Sequence, residues 1–155
     1  MTIDIGAVRA IAARHQDTPG GLLPALHAVQ DAMGHVPDEA VPVLAGTFNL
    51  SRAEVHGVLT YYHHFRREPA GRHVVEVCRA EACQACGADE LFARAEALLG
   101  CESHRTRADG AVTLQPVYCL GLCASSPALR IDDRLHARVT GQRLEALLAP
   151  IGARA

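Results

Sequence analysis

Four of the six cysteines form two pairs whose spacing suits a metal centre; they are Cys78, Cys83, Cys119 and Cys123. Four residues separate the first pair, three separate the second, and 35 residues lie between the pairs. Apolar, strand-like runs at residues 74–77 and 112–118 precede the two pairs, so two strand ends are expected to bring the thiols together. The chain shows no sign of secretion, and thiols in a reducing compartment stay available as ligands. The sequence therefore predicts a metal centre rather than a disulfide framework.

Thiolates bind zinc, copper(I) or iron–sulfur clusters, and the loop lengths help to choose among these. Structural zinc sites have short loops between ligands, and gaps of four and three residues are at the long end of that range. A cluster of two irons and two sulfides is wider, and the longer loop 78–83 suits it because backbone N–H groups there are able to point at its sulfurs. Gly121 permits a close backbone approach, and Leu120 and Leu122 exclude water. The spacing favours a 2Fe–2S cluster, with zinc as the alternative.

The other two cysteines, Cys86 and Cys101, are assigned no ligand role. Cys83 and Cys86 form a C-x-x-C sequence after a strand and before a helix, which is where a thioredoxin redox pair is found. Thiol–disulfide exchange would leave Cys78 and the second pair without a purpose, so it stays a lesser alternative and Cys86 is interpreted as a neighbour of the cluster. Cys101 follows an apolar helical pattern and is predicted to be a small buried side chain.

Residues 1–66 have helical periodicity only. Four segments repeat apolar residues at intervals of three and four, and turn residues separate them; the segments are 3–15, 22–33, 37–48 and 51–65. Ser51 and Glu54 form a capping box at the start of the fourth segment. The sequence therefore predicts a four-helix N-terminal domain over residues 1–66.

The periodicity changes after a polar stretch, residues 67–72, which contains a proline and a glycine and is predicted to be a linker. Strands are then predicted at 73–77, 112–118, 129–131 and 135–139, and helices at 88–99 and 140–148. The order is strand, helix, three strands and helix (βαβββα). It predicts a thioredoxin-like α/β domain that holds the 2Fe–2S site over residues 73–155, and an α+β fold for the chain.

Composition excludes several classes of protein. The chain has 155 residues and a formal net charge of −2, without the basic excess of a protein that binds nucleic acid or anionic lipid. No apolar run approaches a membrane-spanning length, and the N-terminal residues do not resemble a secretory signal, so a cytoplasmic location without direct membrane insertion is expected. No phosphate-binding glycine motif or hydrolase triad is present, and no catalytic residue is predicted.

The fourth predicted helix ends in aromatic and imidazole side chains, residues 61–65. Neither cysteine loop contains a histidine, so His63 and His64 are not predicted to bind the cluster. Two interpretations stay open for this segment. Tyr62 and Phe65 pack inside the helical domain, which is the favoured interpretation, or the segment anchors a partner protein.

Segments across most of the chain resemble one protein family; they are residues 21–30, 50–55 and 60–65 and the two cysteine pairs. The family is the thioredoxin-like 2Fe–2S subunit shared by NADH:quinone oxidoreductase (complex I), NAD-reducing hydrogenases and soluble NAD-dependent formate dehydrogenases. The resemblance implies that the four paired cysteines, Cys78, Cys83, Cys119 and Cys123, are the cluster ligands, and it assigns nothing to Cys86. The run 78–84 and the short chain look most similar to the gamma subunit of molybdenum-dependent formate dehydrogenase.

The resemblance implies an electron-transfer subunit without a substrate site of its own. Such subunits bind a larger flavoprotein that holds FMN, NAD(H) and a 4Fe–4S cluster, and in a formate dehydrogenase they reach the molybdenum-containing catalytic subunit through it. The expected chemistry is the exchange of single electrons between one 2Fe–2S cluster and the partner's FMN. The alternative within the family is the equivalent subunit of complex I or of a hydrogenase. The alternative of another class is a zinc-binding or thiol-redox protein of thioredoxin-like fold.

Overall fold

A computed structural model of the chain describes residues 4–152. The chain divides between Pro69 and Ala70 into two compact units. The first unit is helical, and the second combines a mixed β-sheet with helices. The α+β class and the thioredoxin-like character of the sheet-containing part are thereby confirmed. No helix in the described part of the chain is long and apolar enough to cross a membrane.

The helices of the first unit are α1 (Ile5–His15), α2 (Leu22–Met33), α3 (Ala40–Phe48) and α4 (Arg52–Tyr61). Their first backbone N–H groups need acceptors, and side chains supply them at two of the four starts. Asp4 accepts from the N–H of Ala7 at 3.0 Å at the start of α1. Ser51 and Glu54 form the predicted capping box of α4. Ile3, which the sequence pattern places in the apolar stripe of α1, lies outside the described residues.

A buried amide fixes the segment that follows α4. That helix ends at Tyr61, before its predicted end at Phe65. Gln30 on α2 is 6% exposed, accepts from the Arg66 N–H at 2.7 Å and donates to the His64 carbonyl at 2.9 Å. Because both ends of this buried amide are paired, the segment is held against α2 in a non-helical conformation. Phe65 is consequently buried in the helical core, as the packing interpretation predicted.

The sheet of the second unit contains five strands: β1 (His73–Cys78), β2 (Arg105–Thr106), β3 (Val112–Val117), β4 (Leu129–Ile131) and β5 (Arg134–His136). Their spatial order is β2-β3-β1-β4-β5. Strands β1 and β3 are parallel, and the other neighbours are antiparallel. The short strand β2 was not predicted, because two exposed residues carry no alternating apolar pattern. Strand β5 ends at His136 rather than at the predicted Val139, which is buried in the core.

Three helices belong to this unit: α5 (Glu81–Ala85), α6 (Ala88–Leu99) and α7 (Gly141–Gly152). Helix α6 packs against α7 and against strands β1 and β3. Helix α5 was not predicted, because five residues are too few to show a helical period. Helix α7 continues beyond the predicted end at Leu148, and Ile151 in its last turn is part of the hydrophobic core.

A buried carboxylate ties the three central strands together. Glu76 of β1 is 6% exposed and accepts from the Gln115 side chain of β3 at 2.8 Å. Its other oxygen pairs with the guanidinium of Arg130 on β4. The removal of Arg130 would leave the buried carboxylate of Glu76 without its opposite charge, which is strongly unfavourable. The pairing therefore fixes the register of β1, the strand that ends in Cys78.

Candidate metal centre

The two cysteine pairs lie at one edge of the sheet, where the parallel strands β1 and β3 end. Cys78 is the last residue of β1, and its register partner Val117 is the last residue of β3. Cys83 lies within α5, directly after β1, and Cys123 begins a 3₁₀ turn (Cys123–Ser125) that contacts α5. Because the carboxyl ends of parallel strands meet at the same edge, pairs that are distant in sequence become neighbours.

The sulfur atoms interact within each pair and between the pairs. The Sγ atoms of Cys119 and Cys123 are 3.6 Å apart. Two thiolates on one tetrahedral metal, with metal–sulfur bonds of about 2.3 Å, are about 3.8 Å apart, so this pair has a separation that suits ligation. The contact with Cys119 raises the pKa of Cys123, and the charges of Cys83 and Cys78 raise it further. Among residues 4–152, no three or more His, Cys, Asp or Glu side chains are grouped closely enough to hold a single metal ion.

The first pair is enclosed by protein, whereas the second is not. Cys78 is 1% exposed and Cys83 is 2% exposed, but Cys119 and Cys123 are exposed. Burial raises the pKa of Cys78. Burial acts in the same direction on Cys83, but hydrogen bonds with Ser126, Cys78 and the backbone outweigh it and lower the pKa of that thiol. The hydrogen bond between the two thiols also contributes: it raises the pKa of Cys78 and lowers that of Cys83.

Backbone N–H groups point at three of the four sulfurs. Cys78 receives hydrogen bonds from the N–H groups of Ala80 and Leu120, and Cys83 receives one from Ala128. In the second loop, the Gly121 N–H donates to the sulfur of Cys119 at 3.3 Å. Such donors favour the thiolate, which is the metal-binding form of cysteine, and they tune the reduction potential of iron–sulfur clusters. The surroundings of the thiols therefore fit a thiolate-ligated cluster.

Apolar residues enclose the inner part of this site. The buried members of a small hydrophobic cluster are Cys78, Cys83, Ala88 and Ala128, and four half-buried side chains pack against them. Two of these four are Leu120 and Leu122, the residues predicted to exclude water from the second loop. The low polarity around the inner pair strengthens each N–H to sulfur interaction.

The remaining two cysteines have different surroundings. Cys86 is exposed and lies at the C-terminal end of α5. Cys101 is 5% exposed, and its thiol donates to the carbonyl of Arg105 at 3.1 Å inside the core of the second unit. The prediction of a small buried side chain at position 101 is confirmed.

His63 and His64, near the end of α4, belong to the first unit, and the ring of His64 contacts other rings there. The ring centroids of His27 and His64 are 5.2 Å apart, and those of His27 and Phe65 are 4.9 Å apart. Tyr61 and Tyr62 are exposed, at 76% and 43%. The packing interpretation is therefore correct for Phe65 but wrong for Tyr62. The ring contacts of His27 were not predicted, and the only signal for them in the sequence is the position of His27 on the same helix as Gln30.

A thioredoxin-like domain with four thiols at one edge of its sheet defines a metal-binding or redox protein of that fold class. Residues 8–152 match the family described as thioredoxin-like [2Fe-2S] ferredoxins, and the chain belongs to this family. It is 35% identical, over 91% of its length and 84% of the relative's, to an NADH-quinone oxidoreductase subunit of Rhizobium meliloti. It is 37% identical, over 86% of its length and 81% of the relative's, to the corresponding NADH-quinone oxidoreductase subunit of Pseudomonas aeruginosa.

Solved structures show the same relationship in three dimensions. An NAD+-reducing [NiFe]-hydrogenase in the H2-reduced state aligns with a TM-score of 0.71 and 26% sequence identity. The alignment covers 87% of this chain but only 22% of the hydrogenase chain. Membership of the family decides between the two predicted metals: the cofactor is one 2Fe–2S cluster, as the cysteine spacing favoured.

Proposed function

We propose that this chain is a non-catalytic electron-transfer subunit whose cluster is held by Cys78, Cys83, Cys119 and Cys123. The observation that carries the proposal is the meeting of two thiol pairs at one sheet edge, with backbone N–H groups directed at the sulfurs. When bound, the cluster supplies a one-electron couple of low potential. The inner pair would hold one iron and the outer pair the other, because each iron needs two thiolates.

The protein residues around the cluster have two tasks. Neutral N–H groups from Ala80, Leu120, Gly121 and Ala128 disperse the negative charge of the thiolates without supplying a full positive charge. The exposed outer pair leaves one side of the site open to a redox partner. We infer that single electrons are exchanged through this side with the FMN of a flavoprotein subunit.

The assembly that we propose is a soluble, cytoplasmic, NAD-dependent formate dehydrogenase. Its flavoprotein subunit would hold FMN, NAD and a 4Fe–4S cluster, and would connect this chain to a molybdenum-containing catalytic subunit. Support comes from the run 78–84, which resembles the gamma subunit of such enzymes. The second candidate is the equivalent subunit of complex I or of an NAD-reducing hydrogenase, and the relatives and the aligned structure favour it.

Anaerobic purification of the native assembly tests the cofactor and the partner together. We expect two irons and two acid-labile sulfides per chain, no stoichiometric zinc, and one spin-½ EPR signal of the isolated chain after reduction with dithionite. A colourless, EPR-silent chain with one zinc, unchanged after cluster reconstitution, would contradict the proposal. Molybdenum in the co-purified large subunit would support formate dehydrogenase, nickel would support hydrogenase, and a membrane-bound quinone-reducing assembly would support complex I.

A further inference from the structure

One edge of the second unit is basic although the chain as a whole is not. The ten residues 134–143, here called the basic edge, contain Arg134, His136, Arg138 and Arg143 and no acidic residue. The whole chain, in contrast, has 15 basic and 17 acidic residues. The three arginines are exposed, and within residues 4–152 none of them has a carboxylate partner. Of the other eleven arginines within residues 4–152, six likewise have no carboxylate partner and five are ion-paired; the paired ones are Arg67, Arg79, Arg94, Arg107 and Arg130.

The charges of the basic edge converge around strand β5, the outermost strand on its side of the sheet. A guanidinium N–H of Arg143, on α7, donates to the carbonyl of Ala137 at 2.7 Å. The Arg143 side chain therefore lies next to the residue that follows β5. Burial, followed by the charges of Arg143 and Arg134, lowers the pKa of His136, so both arginines lie close to this ring. Leu135 between them is 52% exposed and adds apolar surface.

The basic edge adjoins the exposed side of the metal centre. The N–H of Arg138 donates at 2.8 Å to the carbonyl of Ser125, in the 3₁₀ turn that begins with Cys123. Tyr118, which precedes the other exposed ligand candidate, Cys119, is 69% exposed. Unpaired positive charges, exposed apolar side chains and the open side of the redox site therefore belong to neighbouring segments of one unit. Exposed aromatic and aliphatic side chains and arginines occur together in protein–protein interfaces.

We propose that the basic edge is the docking surface for an acidic patch on the redox partner that exchanges electrons at the Cys119–Cys123 side. The inference rests on the proposed function and adds the chemistry of the partner's surface to it. Electron exchange requires the partner to contact the open side of the site, and the arginines beside that side attract and orient an acidic surface. Because these charges are exposed, their contribution decreases with ionic strength.

Charge reversal at the basic edge tests the proposal. The probe is the purified FMN-containing subunit of the native assembly, titrated with the full, cluster-loaded chain. We expect Arg134→Glu and Arg138→Glu each to raise the Kd on the order of 3- to 10-fold at low salt, and the difference to vanish at about 0.5 M salt. The matched control is Arg105→Glu, on the opposite edge strand β2, because Arg105 is also exposed and has no carboxylate partner within the described residues. The control variant should bind like the wild type.

The possible outcomes separate this inference from the proposed function. If all three variants bind with the wild-type Kd, the proposal that the partner docks at the basic edge is wrong. The same conclusion follows if the basic-edge variants change the cluster's EPR spectrum or potential without changing the Kd. If the wild-type chain carries its cluster but does not bind the FMN-containing subunit, both proposals are wrong. Selective weakening by the two basic-edge variants, with unchanged EPR spectra and circular dichroism, supports both.

Discussion

The six cysteines show how surroundings decide what one side chain does. Cys101 is a buried hydrogen-bonded core residue, and Cys86 is an exposed thiol at a helix end. Cys78 and Cys83 are equally buried, yet they receive backbone N–H groups that stabilise a thiolate. Donor groups, rather than burial alone, therefore distinguish a ligand candidate from a core cysteine.

Substitution of single cysteines tests the ligand assignment. We expect Cys119→Ser to reduce iron and sulfide well below two per chain and to weaken or alter the EPR signal, because the outer iron loses a thiolate. Cys86→Ser is the control, since an exposed thiol outside the two pairs should leave both measurements unchanged. A cluster lost in Cys86→Ser and retained in Cys119→Ser would reverse the assignment and favour thiol-redox chemistry.

The titration of His136 reports the electrostatic potential of the basic edge. The pKa of His136 lies below its ordinary value of 6.5 because of burial, then Arg143, then Arg134. The unfolded chain therefore binds this proton more readily, and the contribution of His136 to stability falls as pH decreases through 6.5 toward the folded-state pKa. We expect Arg134→Gln to raise the pKa of His136 in an NMR titration, whereas the control Arg105→Gln should not. Equal titration curves for all three proteins would contradict this account.

At the scale of elements, the start of α4 is fixed by a reciprocal pair of hydrogen bonds. The capping box of α4 pairs the Ser51 N–H with Glu54 at 2.7 Å and the Glu54 N–H with Ser51 at 3.2 Å. At the site, Cys83 lies in the five-residue helix α5, and Cys123 lies in a single 3₁₀ turn. Cys119 itself has a φ of 111°, a left-handed conformation that is rare for cysteine. The regular strand β1 places Cys78, whereas short or irregular segments place the other three thiols.

The removal of the α4 cap should destabilise the helical unit. We expect Ser51→Ala to lower the free energy of unfolding by about 1 kcal/mol, because one N–H loses its acceptor and Glu54 loses half of a reciprocal pair. Urea unfolding followed by far-ultraviolet circular dichroism measures the change. Thr60→Ala near the other end of the helix is the control: its hydroxyl bonds only to carbonyls of the same helix, so about 0.5 kcal/mol or less is expected. A cap variant as stable as the control would show that the helix does not depend on this box.

At the scale of the whole molecule, each unit has a hydrophobic core of its own. The buried core residues of the first unit all lie between Val8 and Phe65. Those of the second unit lie between Val75 and Ile151, and the four paired cysteines are within the same stretch. Because neither core contains buried residues of the other unit, we propose that the two units are separate domains.

Expression of residues 70–155 alone tests this division. We expect a folded fragment that incorporates two irons and two sulfides and has the EPR spectrum of the full chain, since its core and all four ligand candidates are present. The same fragment with Cys119→Ser serves as the control for adventitious iron. An unfolded fragment, or one that binds iron no better than this control, would show that residues before Ala70 are required for the fold or the cluster.

Patterns local in sequence were sufficient to predict most of the architecture and the choice of cofactor. The long helices α2 and α6 were predicted with their observed limits, because each repeats apolar residues over three turns and ends at a glycine. The two cysteine spacings favoured a 2Fe–2S cluster, because the length of a ligand loop limits the size of the metal centre that the loop is able to enclose. Helix α5 and strand β2 were missed, because elements of five and two residues have no detectable period.

The tertiary structure alone decided how the residues of the site relate to one another. That Cys78 and Cys83 are enclosed while Cys119 and Cys123 are exposed follows from the packing around the strand ends, and no spacing encodes it. The hydrogen bond from the Arg138 N–H to the Ser125 carbonyl joins the basic edge to the 3₁₀ turn that begins with Cys123. The two segments meet because the β4–β5 hairpin lies between them in the chain. Apolar periodicity and ligand spacing depend on residues that are close in sequence. The exposure of a side chain and its neighbours in space, in contrast, are properties of the folded surface.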